Sequence, residues 1–272
     1  MYPYPFTYHR ALSLVEAEGI YQSYESASYV SGGHTLIPAM KNRLAKPDVL
    51  IDLRAIPELG GIALHADRLE IGAASTHHAV STSNEIARAI PSLALLAGSI
   101  ADPQVRNVGT IGGSLANNDP SADYPAAVLG LGARIVTNKR AIGADAFFEG
   151  LFTTALEPGE IIVMIVFPIP EVAGYAKLCN LASRYAMAGS FVARVDGEAR
   201  VAITGAGADG VFRWQEAEQA LSRDFTSASL GGLAPDPATM ASDLHGGSEY
   251  RAQIAATMTR RAVENLGSIH VR

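Results

Sequence analysis

Two short stretches hold the residues best suited to chemistry: Ser31-Gly32-Gly33-His34-Thr35 and Thr110-Ile111-Gly112-Gly113-Ser114. Adjacent glycines let backbone N–H groups approach a ligand with no Cβ in the way, and successive N–H groups can form a concave nest for an anion. A helix that follows adds the positive end of its dipole. The hydroxyls of Thr35, Thr110 and Ser114 supply further donors. Either stretch alone is more often a tight turn. Two of them, one from each half of the N-terminal region, would clamp a diphosphate and point to a nucleotide cofactor.

Other candidates carry less. Gly205-Ala-Gly207-Ala-Asp-Gly210 fits G-x-G-x-x-G after an apolar strand. The dinucleotide reading also needs a second strand ending in an acidic residue, and a Glu-rich amphipathic helix follows instead. We read it as a turn between strand and helix. His77 and His78 are adjacent, so they diverge on any regular backbone, and no Cys or Glu stands at ligand spacing. Cys179, the single cysteine, can neither form an intrachain disulfide nor hold an iron–sulfur cluster alone. No G-x-S-x-G and no Cys–His pair offers a nucleophile. Asp119 and Asp123 could hydrogen-bond a ribose or cap the following helix, and local sequence leaves both open.

The elements that must position these residues read as follows. Thr7 to Glu18 has helical spacing, Ala27 to Val30 is a short strand, Leu36 to Leu44 a helix and Val49 to Leu53 a buried strand. A hairpin is expected over Ile62–Leu64 and Leu69–Ala73, turned at Ala66-Asp67. A helix capped by Ser75 or Thr76 comes next, then helices over Pro91–Ala101 and Tyr124–Leu131, and strands over Ala133–Thr137 and Glu160–Pro168. Pro168-Ile169-Pro170 and Gly174 mark the expected domain boundary. Beyond it come strands at Tyr175–Leu178, Ala188–Asp196 and Ala199–Thr204, the last two turned at Asp196-Gly197. Helices are expected near Trp214–Leu221, Asp236–Ser242 and Tyr250–Asn265.

The 272 residues suit two domains, and a 48% hydrophobic composition with 18% charged residues supplies sizeable cores. A net charge of −6 and the lack of any basic run argue against nucleic acid as a partner. The N-terminus has no signal-peptide pattern, and no run reaches the roughly 20 apolar residues of a membrane span. The expected location is the cytoplasm.

The chain resembles the flavoprotein (medium) subunit of the xanthine dehydrogenase and carbon monoxide dehydrogenase family of molybdenum hydroxylases. The resemblance spans essentially the whole chain. It rests on Ser31-Gly-Gly-His-Thr-Leu36, Val49-Leu-Ile-Asp-Leu53, Arg106-Asn107-x-Gly-Thr-Ile-Gly-Gly113 and Asp119-Pro-x-x-Asp123. It continues in Phe147-Phe-x-Gly-x-x-Thr-Thr-x-Leu-x-Pro-Gly-Glu160, Tyr175-x-Lys177, Arg184-Tyr-Ala186, Gly205-Ala-Gly207 and Ala217-Glu-x-x-Leu221.

The resemblance implies an α+β fold. A two-subdomain FAD-binding domain of the vanillyl-alcohol-oxidase (PCMH) type would cover residues 1–170, split near 54. A C-terminal domain over 171–272 would carry a three-stranded antiparallel sheet and a helical bundle. FAD would lie extended between the subdomains, its diphosphate held by residues 31–36 and by Thr110, Ile111, Gly112, Gly113 and Ser114. Asp123 falls at the position beside the adenosine, and Ile100 and Ile162 at apolar positions beside the cofactor. Lys177 matches a lysine at the pyrimidine end of the flavin, where a cation would stabilise the reduced ring. Tyr185 matches the aromatic residue that covers the ring. Partner chains are implied too: a small subunit with two [2Fe–2S] clusters and a large one with molybdenum on molybdopterin cytosine dinucleotide, assembled as a dimer of heterotrimers. Electrons would pass from the clusters through FAD to oxygen, a quinone or NAD⁺. The alternative is a free-standing FAD oxidoreductase of the same fold. Some relatives bind an extra cluster through a cysteine-rich insertion, which a chain with one cysteine lacks.

Overall fold

The computed structural model describes residues 2–266 and the backbone of 269–271. The first unit contains β1 (Thr7–Arg10), α1 (Leu14–Gln22), β2 (Ala27–Val30), α2 (Leu36–Lys41) and β3 (Val49–Asp52). β3 lies between β1 and β2 and runs parallel to both, and all four of its residues are buried. A continuous apolar run suits a parallel strand covered on both faces. The N-terminal segment departs from the single helix expected over Thr7–Glu18. Thr7 to Arg10 pairs with Val49 to Asp52, and the helix starts only after Ser13. Ser13 Oγ accepts from Glu16 N, and Glu16 Oε2 accepts from Leu12 N at 2.7 Å, a reciprocal cap that fixes the start.

The second unit opens with the hairpin of β4 (Ile62–Leu64) and β5 (Arg68–Gly72). Six short helices follow: α3 (His77–Thr82), α4 (Asn84–Ala89), α5 (Pro91–Gly98), α6 (Pro103–Arg106), α7 (Ile111–Asn117) and α8 (Tyr124–Gly130). Then come β6 (Arg134–Thr137), β7 (Ala141–Gly143), the small pair β8 (Phe148–Gly150) and β9 (Thr153–Thr154), and β10 (Ile162–Pro168). The antiparallel sheet runs β4-β5-β10-β6-β7. Thr76 caps α3 by accepting from Ala79 N.

The third unit is a meander of β11 (Val172–Cys179), β12 (Ala186–Val195) and β13 (Glu198–Thr204). Asp196 and Gly197 take positive φ values of 51° and 80°, as a two-residue hairpin turn demands. Two edge strands extend these three: β14 (Phe212–Arg213) beside β13, and β15 (Ile269–Val271), parallel to β11. Helices α9 (Gln215–Arg223) and α10 (Ser248–Glu264) cover one face. The helix expected over Asp236–Ser242 is a single 3₁₀ turn at Pro237–Thr239, because Met240 turns extended, is buried and bridges to Gly207. Gly205 to Gly210 is a turn, as expected: a Cβ on Gly207 would lie 2.4 Å from Gly210 O.

One apolar core crosses residue 170. Tyr175, Phe191, Ala193 and Ala202 of the third unit pack with Leu93, Tyr124, Val128 and Ile135 of the second.

Candidate cofactor cleft

A cleft of about 760 Å³ opens between the first and second units, with residues 183–185 of the third at its wall. That is in the upper part of the range of roughly 300–1,000 Å³ seen for ligand pockets. Of the residues singled out in the sequence, Ser31 to Leu36, Ile100, Thr110, Gly113, Ser114, Asp123 and Tyr185 line it.

The two glycine-rich segments meet. A Cβ on Gly32 would stand 2.6 Å from Val108 O and 2.7 Å from Gly109 Cα, so only glycine lets the segments approach this closely. Gly33 has φ of +68°, a left-handed conformation that other residues rarely take. Among the described residues, the N–H groups of Gly32, Gly33, His34 and Thr35 donate to no protein acceptor. They stand at the cleft wall, and an oxyanion would satisfy them.

The second segment works differently. Ile111 to Asn117 is helical, so Gly112 and Gly113 form a first turn rather than a loop. Its N–H groups are already used: Ile111 donates to Ser75 O, Gly112 to Ala73 O, Gly113 to Thr110 Oγ1 and Ser114 to Thr110 O. Ile111 is fully buried, and a Cβ on Gly112 would lie 2.5 Å from Ala73 Cβ. Ile111 and Gly112 therefore pack α7 into the second unit and do not line the cleft. What this segment offers a ligand is the small face of Gly113 and the hydroxyls of Thr110 and Ser114.

Two more expectations need correction. Ile162 is buried in β10 among core residues and does not reach the cleft. Lys177 is 1% exposed, and its Nζ donates to Asp123 Oδ1 at 2.8 Å and to Ser99 O at 3.3 Å. It stands behind Asp123 rather than at the cleft wall. Of the two roles that the local sequence leaves open for Asp123, its side chain makes no helix-cap hydrogen bond.

Residues beside and in the cleft add to these. Arg106 Nη1 donates to Ile100 O and Ala101 O, each at 2.8 Å, and holds Ala101 at a positive φ of 42°. The Arg-Asn pair before the second segment was the visible signal for it. Tyr21 and Tyr29 stack at 4.9 Å beneath Gly159, whose carbonyl accepts from Tyr29 Oη. No local pattern marks those tyrosines.

His77 also lines the cleft, 6% exposed, against Gly109 and the Tyr124 ring. Burial pushes its imidazole down to about 4, assisted by the nearby His34 and Arg106. Its Nδ1 and the Oγ of Ser31 are buried without a partner among the described residues. Unsatisfied donors, two hydroxyls and a neighbouring guanidinium fit a diphosphate-bearing cofactor. Among the described residues, no group of His, Cys, Asp and Glu could hold a metal ion.

Fold and cleft together define a protein of mixed helices and sheets whose first two units enclose a cleft suited to an anionic cofactor. Residues 4–170 match the family model "FAD binding domain in molybdopterin dehydrogenase". Over 97% of each chain, the sequence is 36% identical to the carbon monoxide dehydrogenase medium chain of Afipia carboxidovorans. It is 31% identical to the nicotine 6-hydroxylase medium subunit of Paenarthrobacter nicotinovorans, covering 96% of this chain and 97% of that one. Among solved structures, reconstituted CO dehydrogenase from Oligotropha carboxidovorans superposes with a TM-score of 0.88 at 36% identity, covering 97% of this chain and 98% of the other. The chain belongs to the family of FAD-binding domains of molybdopterin dehydrogenases.

Proposed function

We propose that the chain is the flavoprotein subunit of a molybdenum-containing hydroxylase. FAD, when bound, supplies a redox centre that takes up electrons and hands them on. The chain's own residues do the holding. Gly32 to Thr35 donate backbone N–H groups to the diphosphate, Thr110 and Ser114 add hydroxyls, and Gly113 leaves room beside it. Tyr185 lines the cleft and would cover a flat ring. The row of unused N–H donors at the cleft wall carries this reading. The relatives are medium chains and subunits of dehydrogenases and hydroxylases, which supports placing the oxidised substrate on another subunit.

The partners that fit are a small subunit with two [2Fe–2S] clusters and a large subunit with the molybdenum cofactor, in a dimer of heterotrimers. Electrons enter from the clusters and leave to oxygen, a quinone or NAD⁺. Residues 1–170 form the FAD-binding domain and 171–272 a second domain against it. No helix among the described residues is long and apolar enough to cross a membrane, and we place the complex in the cytoplasm.

Co-expression with the partner genes tests this. The chain should co-purify with iron and molybdenum, and the flavin absorbance at its long-wavelength band should bleach when substrate is added without oxygen. Purification of the chain alone, with flavin reduced directly by an organic substrate, would establish a free-standing oxidoreductase instead.

A further inference from the structure

The first sheet runs β1-β3-β2, and β2 lines the cleft, so β1 is the edge that lies away from it. Among the described strands β1 pairs only with β3, which leaves its other N–H and C=O groups open to a further strand. Pro3 and Pro5 lack an N–H and confine such pairing to Thr7–Arg10. An aromatic residue stands at every second position here: Tyr2, Tyr4, Phe6 and Tyr8 are all exposed, Tyr2 by 88%. The turn after α2 adds Leu44, 82% exposed, and two cations. Arg43 Cζ lies 5.0 Å and Lys46 Nζ 5.2 Å from the centre of the Tyr4 ring. The ring attracts each of them, yet the two repel one another. Neither has a salt-bridge partner among the described residues, in a chain whose net charge is −6.

A group of exposed apolar side chains marks an interaction site, and the two unpaired cations beside it call for an anion. We propose that this face docks an extended, carboxylate-bearing segment of the molybdenum subunit. The segment pairs its backbone with Thr7–Arg10, lays apolar side chains over Tyr4, Phe6 and Leu44, and sets an Asp or Glu beside Arg43 and Lys46. A second copy of this chain fits poorly, because a two-fold contact through this patch would bring like cations together. The iron–sulfur subunit is needed elsewhere. It delivers electrons into the cleft, and electron transfer weakens steeply with distance, so its place is the cleft mouth and not the outer edge of the sheet. Tyr4, Phe6, Arg43, Leu44 and Lys46 are not among the residues lining the cleft, so the contact holds the complex together without touching the cofactor.

This inference rests on the reading of the chain as a subunit of a molybdenum hydroxylase, and two measurements on the co-expressed complex test it. In the first, Phe6→p-benzoylphenylalanine and Leu44→p-benzoylphenylalanine are irradiated, and the crosslinked peptides are identified by mass spectrometry. The crosslinks should fall on an acidic segment of the molybdenum subunit. In the second, Arg43→Glu combined with Lys46→Glu should weaken the hold on that subunit about tenfold, read as dissociation by mass photometry, with FAD content unchanged. Added salt should weaken the wild-type complex in the same sense. Crosslinks only to the iron–sulfur subunit or to a second copy, or none in an intact complex, would overturn the proposal. So would unchanged dissociation in the charge-reversed variant. Binding of the wild-type complex to phosphatidylglycerol vesicles, lost on charge reversal, would assign the face to a membrane and overturn it too. If the charge-reversed variant loses its FAD, Lys46→Gln and the crosslinks decide. A wild-type chain isolated free of iron and molybdenum would instead overturn the subunit reading itself.

Discussion

Buried at the floor of the cleft, the His77 imidazole is neutral at physiological pH, since desolvation by its surroundings favours the uncharged ring. A histidine whose native value lies near 4 resists protonation that the unfolded chain accepts near 6.5. Its contribution to stability is complete above pH 6.5, falls as pH drops from there towards 4, and is flat below. The difference amounts to on the order of 3 kcal/mol. Urea unfolding at a series of pH values should show this slope in the wild-type protein and lose it in His77→Gln. An identical slope in the variant would contradict the assignment. The two glycine-rich segments were legible in the sequence because adjacent glycines between apolar runs are a local signal. The places of Ile162 and Lys177 were not. Lys177 faces Asp123 only because β11 packs against the start of α8, and no window of sequence contains that pairing.

Glu160 shows how an element is fixed where the cleft needs it. Its side chain is buried, and desolvation alone would raise its value. Hydrogen bonds from Arg140, Glu157 N and Thr137 outweigh that and bring it to about 2. The bond to Glu157 N fastens the turn Leu156–Gly159 that forms one lip of the cleft. Because the native value lies below the ordinary carboxylate range, this stabilisation is present above about pH 4.5 and is lost as pH falls through about 2. Glu160→Gln should therefore cost roughly 1–3 kcal/mol at pH 7 by chemical unfolding. The gap to wild type should close as pH is lowered from 4.5 towards 2, and a constant gap would contradict the account. Most strands and hairpins were legible here, since turn residues such as Asp196-Gly197 sit where the chain reverses. Several others were not, among them α7 and β1. Ile111 to Asn117 reads as a loop because paired glycines disfavour helix, yet burial against Ala73 and the Thr110 cap outweigh that cost. Thr7 to Arg10 reads as helix because strand pairing with distant β3 leaves no local trace.

For the whole molecule, the core that runs across residue 170 matters more than the composition break there. Pro168 and Pro170 do end a strand, but Tyr175 and Phe191 of the third unit belong to the same buried cluster as α8 and the core of the second. A chain cut after residue 170 would expose the side of α8 that faces Phe191 and Ala202, and would leave Asp123 without Tyr175 and Lys177. Such a fragment should show a lower and broader thermal transition by circular dichroism than the full chain, and should bind FAD at least tenfold more weakly. A fragment equal to the full chain in both would show that the first 170 residues are self-sufficient.

The central claim is that this chain binds FAD through its two glycine segments, and flavin content tests it most directly. Protein isolated with its partners should release one FAD per chain on heat denaturation. Gly113→Asp should release almost none while keeping its circular dichroism spectrum, because the new carboxylate would stand beside Thr110 Oγ1 at the cleft wall, where the proposed function puts the phosphates. Wild-type protein without FAD, or a folded Gly113→Asp variant with full flavin content, would contradict the account.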